Sequence, residues 1–262
     1  MAHGFRLVRE RSLANSKYEF NFIGNSHRAV VPVLQRYDAG YRLIGTGSYF
    51  IKPNIFITAA HLFEGEDIKP NDSFFIISEG SSNDPLKIIA IHKHESWDLA
   101  FMVLEQPGEK YFEGTDPIAV MNLAPEKDEI VAVFGYSHST VDPNNVTEVN
   151  GDVVQIMQLR CKWELGAVLE IHDNGHRFLK GQCFETNILA EGRDSGAPMF
   201  NSSGFLVGLL STSFAFEEGM PNSLCSSILD LADIPIGGMP IRELWNKTTR
   251  AAHCKMRRTF FP

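Results

Sequence analysis

The sequence predicts an all-β fold of antiparallel strands, and three observations support this prediction. Short runs rich in Val, Ile, Phe and Tyr recur from residue 29 onward, separated by Gly, Pro, Asn and Asp, as in AVVPVLQ, YRLIGTGSYFI and LAFMVLE. Helical patterns do not alternate with these runs, so a parallel sheet of βαβ units is not indicated. No internal repeat is present either. Many short strands at this spacing are typical of an antiparallel sandwich or barrel.

The predicted strands fall into two groups on either side of a polar segment rich in Pro and Gly, which is centred near residue 117. We therefore expect residues 29–116 and residues 117–238 to form two β-domains. Residues 1–28 precede them as an N-terminal extension whose structure the sequence does not indicate. Residues 239–262 follow the second domain, and we expect them to form a helix and a basic tail.

The C-terminal helix is predicted from the spacing of apolar and small side chains after Pro240. The side chains that recur at helical spacing are Ile241, Leu244, Trp245, Thr248 and Ala252. The helix is therefore expected to be amphipathic. Basic residues follow it at Lys255, Arg257 and Arg258. We interpret them as a solvated tail rather than a binding patch.

Composition narrows the class of protein. The chain has 262 residues, of which 44% are hydrophobic and 21% charged, as is usual for a globular protein. Its net charge of −8 is spread along the sequence, so no basic surface is predicted to attract nucleic acid. No apolar stretch approaches the roughly 18 residues of a membrane-spanning helix, and the N-terminus lacks the apolar centre of a secretory signal. We expect a cytoplasmic protein that binds neither nucleic acid nor membranes and uses no cofactor.

The four cysteines are consistent with a cytoplasmic location. They are widely spaced and include no CxxC pair, so we expect reduced thiols in that compartment. A secreted chain without its signal would show the same pattern. Its four cysteines could then pair in three different ways.

Three segments carry side chains that suit acyl transfer. In GRDSGAP, Ser195 lies in a turn rich in Gly and Pro, which can expose a hydroxyl and aim backbone N–H groups at an oxyanion. In IFITAAHLFEG, His61 follows a predicted strand and two small alanines. In HESWDLAFMVLE, Asp98 precedes an almost wholly apolar strand, where a buried carboxylate needs a partner. An imidazole N–H is such a partner, and the pair would fix the histidine tautomer.

These segments occur in the order and at the approximate spacing found in chymotrypsin-like serine peptidases, and the chain resembles this family. Further similarities are a GTG before the histidine strand, VAVFGY at the start of the second half and FLVGLLSTS after the serine. The resemblance covers about residues 29–250. It implies two six-stranded antiparallel Greek-key β-barrels with His61, Asp98 and Ser195 in the cleft between them. It also implies a trypsin-like serine endopeptidase whose partner is a protein or peptide substrate.

The chain departs from the family pattern in two informative ways. It lacks a cysteine beside His61 and the Ile-Val-Gly-Gly sequence of a cleaved N-terminus, which places it nearer the intracellular, bacterial-type branch. The resemblance also implies an oxyanion hole formed by the N–H groups of Arg193 and Ser195. Arg193 replaces the usual glycine, so its peptide is expected to need an activating protein or ligand before it turns into the cleft.

The resemblance also implies which residues contact substrate. Leu189 is expected to form the floor of the specificity pocket, with Ala190 beside it. The segment from Ser211 through Thr212 to Ser213 is expected to pair with the substrate backbone. Because no acid is predicted at the floor, we expect a small-to-medium apolar or uncharged residue before the cleaved bond, and cleavage after Arg or Lys is disfavoured.

Other histidines carry weaker signals. His92 and His94 alternate on one strand face, but we interpret them as solvated and expect no metal. His172 and His176 flank an Asp-Asn-Gly turn, which predicts a hairpin tip. Two alternatives to the peptidase stay open. One is a catalytically silent pseudo-protease that binds or scaffolds other proteins, and the other is an esterase, which the absence of a GxSxG motif disfavours.

Overall fold

A computed structural model shows the chain as two β-barrels. The residues that the structure describes are 4–11, 26–37, 40–51, 53–64, 73–77, 85–105, 115–120, 122–149, 152–215 and 221–246. Strands make up most of these residues, with short 3-10 turns at Ser26–Ala29, Ala60–Phe63 and Leu231–Asp233. The all-β class expected from the sequence is confirmed.

The first barrel is formed by six of the first seven strands. The strand bounds are β1 (Gly4–Arg11), β2 (Val30–Tyr37), β3 (Gly40–Ile51), β4 (Ile55–Thr58), β5 (Phe74–Ile76), β6 (Leu86–Lys93) and β7 (Ala100–Leu104). Strands β2 to β7 close in the order β2-β3-β4-β7-β6-β5, and every neighbouring pair is antiparallel. Their inward side chains, such as Phe50, Phe56 and Phe101, are fully buried.

The second barrel is built from the later strands. Their bounds are β8 (Ile130–Gly135), β9 (Thr140–Val149), β10 (Asp152–His172), β11 (Cys183–Thr186), β12 (Pro198–Asn201), β13 (Leu206–Ala215), β14 (Pro221–Ser227), β15 (Pro235–Ile236) and β16 (Met239–Pro240). The ring runs β8-β10-β11-β14-β13-β12 and closes because β12 also pairs with β8. Two closed six-stranded antiparallel barrels were expected, and they are confirmed.

Strand β10 is much longer than the others and has two functions in the sheet. Its first half lies beyond the barrel, where it pairs antiparallel with β9 and parallel with β1. Its second half belongs to the barrel itself and pairs with β8 and β11. The N-terminal extension therefore contributes a strand to the sheet of the second barrel.

Buried hydrogen bonds hold the two barrels together. The amide of Gln155 on β10 is 1% exposed. Its Oε1 accepts from the backbone N–H of Tyr41 at 2.9 Å, and its Nε2 donates to the Tyr41 carbonyl at 2.8 Å and to the Asp142 carbonyl at 3.0 Å. The hydroxyl of Tyr136 donates to the carbonyl of Val30 at 3.0 Å. Each such bond contributes about 1 kcal/mol net, and losing one partner of a buried pair costs more.

The C-terminal helix begins where it was predicted. Residues 241–246 are helical, Ile241 is fully buried, and the Trp245 ring lies 5.4 Å from the ring of Phe50. The predicted continuation through Thr248 and Ala252 lies outside the described residues. Within the described part of the chain, no helix is long and apolar enough to cross a membrane.

Candidate active site

The pairing of β4 with β7 brings His61 and Asp98 together. Thr58, at the end of β4, lies opposite Ala100, at the start of β7, so the residues beyond these strand ends are neighbours. His61 Nδ1 lies 2.7 Å from Asp98 Oδ2, and the His61 backbone N–H donates to Asp98 Oδ1 at 2.9 Å. An ionised carboxylate only accepts hydrogen bonds, so in the neutral imidazole Nδ1 carries the proton and Nε2 keeps a free lone pair.

The carboxylate of Asp98 is held in its ionised form. Burial raises the pKa of Asp98, but the hydrogen bond and charge of His61 and a hydrogen bond from Ser211 oppose burial and bring the pKa below its usual value. Ser211 Oγ donates to Asp98 Oδ2. The register of β13 against β14 shifts between Leu210 and Thr212, and such a bulge re-aims the side chain within it. The sequence assigned Ser211 to substrate binding and did not predict this contact.

Ser195 is fixed by backbone contacts to both barrels. Its carbonyl accepts from the N–H of Thr46 on β3 at 2.9 Å, and the N–H of Gly196 donates to the Leu210 carbonyl at 2.7 Å. Gly196 has φ +82°, and a Cβ there would lie 2.1 Å from Thr58 Oγ1, so only glycine fits. The Ser195 hydroxyl donates to the carbonyl of Ser211 at 3.1 Å. Among the described residues it makes no hydrogen bond to His61.

The turn before Ser195 has the backbone of a type II turn. The N–H of Asp194 donates to the Glu191 carbonyl at 3.1 Å, and Arg193, third in the turn, has φ +83°. Two contacts hold Arg193 in this conformation: its Nη1 donates to the Ser139 carbonyl at 2.6 Å, and its own carbonyl accepts from Thr46 Oγ1 at 3.0 Å. The backbone N–H groups of Arg193 and Ser195 donate to no described residue.

A buried ion pair anchors this turn from below. The Asp194 side chain is 1% exposed, and its Oδ2 lies 3.2 Å from Nζ of Lys162, whose side chain is 5% exposed. The N–H of Ser137 donates to Asp194 Oδ1 and that of Glu191 to Oδ2. Burial lowers the pKa of Lys162, but the charges of Asp194 and of Glu164, 3.1 Å away, outweigh burial and raise it. Lys162 therefore keeps its positive charge inside the barrel.

Gly135 makes room for the ion pair. It lies directly opposite Lys162 in the β8–β10 pairing, and a Cβ at position 135 would lie 2.2 Å from Asp194 Oδ1. Sequence reasoning identified neither residue as part of the site. The available signal was a lysine within the barrel half of β10, but its partner Asp194 lies about 30 residues further along the sequence.

A cavity of about 540 Å³ lies in front of His61 and Ser195. Its lining includes four of the five residues expected to bind substrate: Ala190, Ser211, Thr212 and Ser213 are part of the wall. Leu210, Trp97 and Phe178 contribute apolar surface. Besides Asp98, the acidic groups at the cavity are Glu64, Glu95 and Glu191.

Leu189 does not occupy the position expected of a pocket floor. Its side chain is 45% exposed, and it is absent from the lining of the cavity. Its neighbours explain why. The Ala190 N–H donates to Ser223 Oγ at 3.1 Å, and Ser223 Oγ donates to the Ile188 carbonyl at 2.5 Å. Because alternate residues of an extended segment point in opposite directions, Leu189 faces solvent.

His94 also differs from the sequence interpretation, because it is not simply solvated. Its Nδ1 accepts from the N–H groups of Ser96 and Trp97, and its ring stacks on Trp97. Burial lowers the pKa of His94, with Glu95 acting in the opposite direction. His94 therefore supports the wall of the cavity as a neutral ring.

A family comparison identifies the class of the protein. Residues 45–209, more than half of the chain, match the family described as "Trypsin-like peptidase domain". This chain belongs to the trypsin-like peptidase family. It is accordingly a trypsin-like serine endopeptidase, as the sequence resemblance implied. No curated protein sequence matches this peptidase.

Solved structures show the same fold. The Rv3671c protease from M. tuberculosis, in its active form, has a TM-score of 0.54 at 14% identity, with 83% of this peptidase and 87% of that chain covered. The MamO protease domain from Magnetospirillum magneticum has a TM-score of 0.53 at 15% identity, with 78% of this peptidase and 93% of that chain covered. The serine endoprotease from Yersinia pestis has a TM-score of 0.50 at 15% identity, with 77% of this peptidase and 59% of that chain covered. These likenesses confirm the chymotrypsin-like fold.

We predict that Asp98 stabilises the peptidase in a pH-dependent way. Its pKa is lower in the folded state than in the unfolded chain, so its contribution is present above the unfolded value of about 3.9 and is lost as pH falls through the folded value. The free energy of unfolding lost in Asp98→Asn should therefore be largest near neutral pH and shrink below about pH 4. Urea unfolding at a series of pH values measures it.

The matched control is Asp142→Asn, at an exposed carboxylate. A difference between wild type and Asp98→Asn that stays constant over the same pH series would contradict the prediction.

Proposed function

We propose that this peptidase cleaves protein or peptide substrates through an acyl-enzyme, with Ser195 as nucleophile, His61 as general base and Asp98 orienting the histidine. The observation that carries the proposal is the 2.7 Å contact between His61 Nδ1 and Asp98 Oδ2, on the same cavity as Ser195. The contact leaves Nε2 of His61 free to accept a proton. The Ser195 side chain must first rotate from the Ser211 carbonyl toward Nε2.

The reaction then follows from these groups. His61 Nε2 takes the hydroxyl proton while Ser195 Oγ forms a bond to the substrate carbonyl carbon. The carbonyl oxygen becomes an oxyanion, which accepts from the N–H groups of Arg193 and Ser195. The carbon–nitrogen bond breaks, and the leaving amine takes the proton from His61. Water repeats the same steps on the ester, releasing the acid and restoring Ser195.

The ion pair between Lys162 and Asp194 supports this proposal, because it fixes the turn that carries the oxyanion hole. Asp194 follows Arg193 and precedes Ser195, so holding its carboxylate also orients both N–H groups. In zymogens of the family this aspartate pairs with a newly cut N-terminus. The ammonium of Lys162 supplies a positive charge from within the barrel, so no such cut is required here.

We propose that Arg193 makes the activity conditional. A non-glycine residue at φ +83° costs about 1–2 kcal/mol, so the turn has a competing conformation within reach. The resting hydroxyl of Ser195 also faces the Ser211 carbonyl rather than His61. A bound activating protein or ligand could favour the turn conformation in which Arg193 has φ +83°. It would then raise the turnover rate by the factor that corresponds to this free-energy difference.

The cavity wall supports a small-to-medium uncharged residue before the cleaved bond. Ala190, Thr212 and Ser213 carry no charge. Two of the acids at the cavity lie within ion-pair distance of a lysine. Glu64 lies 3.2 Å from Lys93, while Glu191 lies 3.4 Å from His138 and 3.7 Å from Lys162.

We further propose that the peptidase acts in the cytoplasm. Cys183 and Cys225 are buried free thiols in the described structure. Free thiols are typical of a reducing compartment.

We predict that a fluorophosphonate probe labels the wild-type peptidase at Ser195. Ser195→Ala should not be labelled, because it lacks the nucleophile, and Asp98→Asn should be labelled about 10⁴-fold more slowly. Ser203→Ala, at an exposed serine, is the matched control and should be labelled like wild type. Conditional activity predicts faster labelling in the presence of cell extract, and Arg193→Gly should reach that rate without extract.

Two outcomes would overturn parts of the proposal. No labelling of wild type or Arg193→Gly under any condition would indicate a pseudo-protease that binds other proteins. Equal labelling of wild type and Arg193→Gly with and without extract would contradict conditional activity. It would not contradict the proposed roles of His61, Asp98 and Ser195.

We predict that Lys162→Met lowers kcat by about 10²–10³-fold with little change in KM, because the turn no longer presents its N–H groups to the oxyanion. It should also lower the free energy of unfolding by about 3–5 kcal/mol, since Asp194 keeps a buried, unpaired charge. Lys162→Arg should restore part of both. Lys127→Met, at an exposed lysine, is the control. A KM effect with unchanged kcat would contradict this positioning role.

We predict that a peptide library is cleaved preferentially after small or medium uncharged residues. The wall formed by Ala190, Thr212 and Ser213 carries no acid to receive a cation. Mass spectrometry of the products gives the preference directly. A profile dominated by Arg or Lys would refute it.

A further inference from the structure

A second group of chemically active side chains lies in the hairpin between β10 and β11, outside the proposed triad. His172 ends β10, His176 follows the Asp-Asn-Gly turn, and Glu185 lies on β11. The strand register explains how they meet. His172 lies opposite Cys183, and Glu185, two residues further along β11, shares its face.

The three side chains converge on one point. Glu185 Oε1 lies 3.0 Å from His172 Nε2 and 3.8 Å from His176 Nε2, and all three atoms lie within 4.8 Å of one another. The two imidazole rings are 5.0 Å apart between centroids. In a tetrahedral zinc site with bonds of about 2.0–2.1 Å, neighbouring ligand atoms are about 3.3 Å apart. Small side-chain rotations would close the remaining differences.

The surroundings of the cluster favour a bound cation. The Glu185 side chain is 7% exposed and each histidine side chain 16%. A nearly buried carboxylate is costly unless its charge is compensated. Its second oxygen, Oε2, accepts from Nδ2 of Asn222 at 3.4 Å, which orients the carboxylate toward the rings. Second-shell hydrogen bonds of this kind are typical of metal ligands.

The adjacent Cys183 is not a member of the ligand set. The donor atoms that lie within 4.8 Å of one another belong to His172, His176 and Glu185, and the Cys183 thiol is not among them. The donors that remain are two imidazole nitrogens and one carboxylate oxygen. This set suits Zn²⁺, with a fourth position open to water.

We propose that His172, His176 and Glu185 bind one zinc ion. The site would fasten the hairpin whose Phe178, Leu179 and Lys180 line the cavity in front of Ser195. The sequence predicted a hairpin tip at the two histidines but no metal, because Glu185 joins them only through the β10–β11 register. This proposal concerns binding alone and does not depend on the proposed peptidase mechanism.

The test titrates zinc chloride into full-length protein freed of metal by a chelator and then dialysed. Calorimetry should show about one equivalent bound per chain, and the melting temperature should rise. His172→Ala, His176→Ala and Glu185→Gln should each abolish this binding, and Asn222→Leu should weaken it about tenfold. His92→Ala is the matched control, because it removes a histidine outside the cluster and should bind like wild type.

Circular dichroism of each variant establishes that it is folded, and Glu185→Gln keeps the shape of the side chain if a histidine variant unfolds. X-ray absorption at the zinc edge should show nitrogen and oxygen at about 2.0–2.1 Å. Absence of zinc binding to wild type, or unchanged binding by Glu185→Gln, would overturn the proposal. A sulfur neighbour at about 2.3 Å would overturn the ligand set.

Discussion

The arrangement around Ser195 depends on one interaction, the ion pair between Lys162 and Asp194 inside the second barrel. Taking both charges out of water costs several kcal/mol for each ion, and their attraction offsets this cost only with good geometry and further hydrogen bonds. The N–H groups of Ser137 and Glu191 supply those bonds. Asp194 lies between Arg193 and Ser195. The ion pair and hydrogen bonds that stabilise its carboxylate therefore also determine the conformation of the turn. The conformation of this turn therefore depends on the pairing of β8 with β10 and on the absence of a side chain at Gly135.

Much of the fold and the central residues could be predicted because their signals are local. Alternating apolar runs indicate strands wherever they occur. His61, Asp98 and Ser195 could be selected as candidates from the residues directly beside them in the sequence. The cation that pairs with Asp194 could not be predicted in this way, because Lys162 is brought to it by the pairing of β8 with β10. The contact of Ser211 with Asp98 depends likewise on a bulge in β13. The exposed position of Leu189 has no local signal either, because the bonds of its neighbours Ile188 and Ala190 to Ser223 set its direction.

The two barrels contribute different parts of the site. The first barrel presents His61 and Asp98 at adjacent strand ends, whereas the second presents Ser195, its turn and most of the wall that faces substrate. The contacts that set their relative position include the bonds between Gln155 and Tyr41. The three hydrogen bonds of the buried Gln155 amide each require a particular direction, so they fix the geometry of the contact as well as stabilise it. They therefore fix the distance between Ser195 and His61 more tightly than apolar packing alone would.

The parallel pairing of β1 with β10 has a consequence for the order of assembly. Gly4 lies opposite Val154, so this contact closes a loop of about 150 residues, and contacts between such distant segments form slowly. The segment that contains β1 is thus among the last to reach its final place. Until β1 arrives, one edge of the outer half of β10 has unpaired backbone groups, and such an edge can accept a strand from another chain. The extension thereby completes the sheet and limits self-association during synthesis.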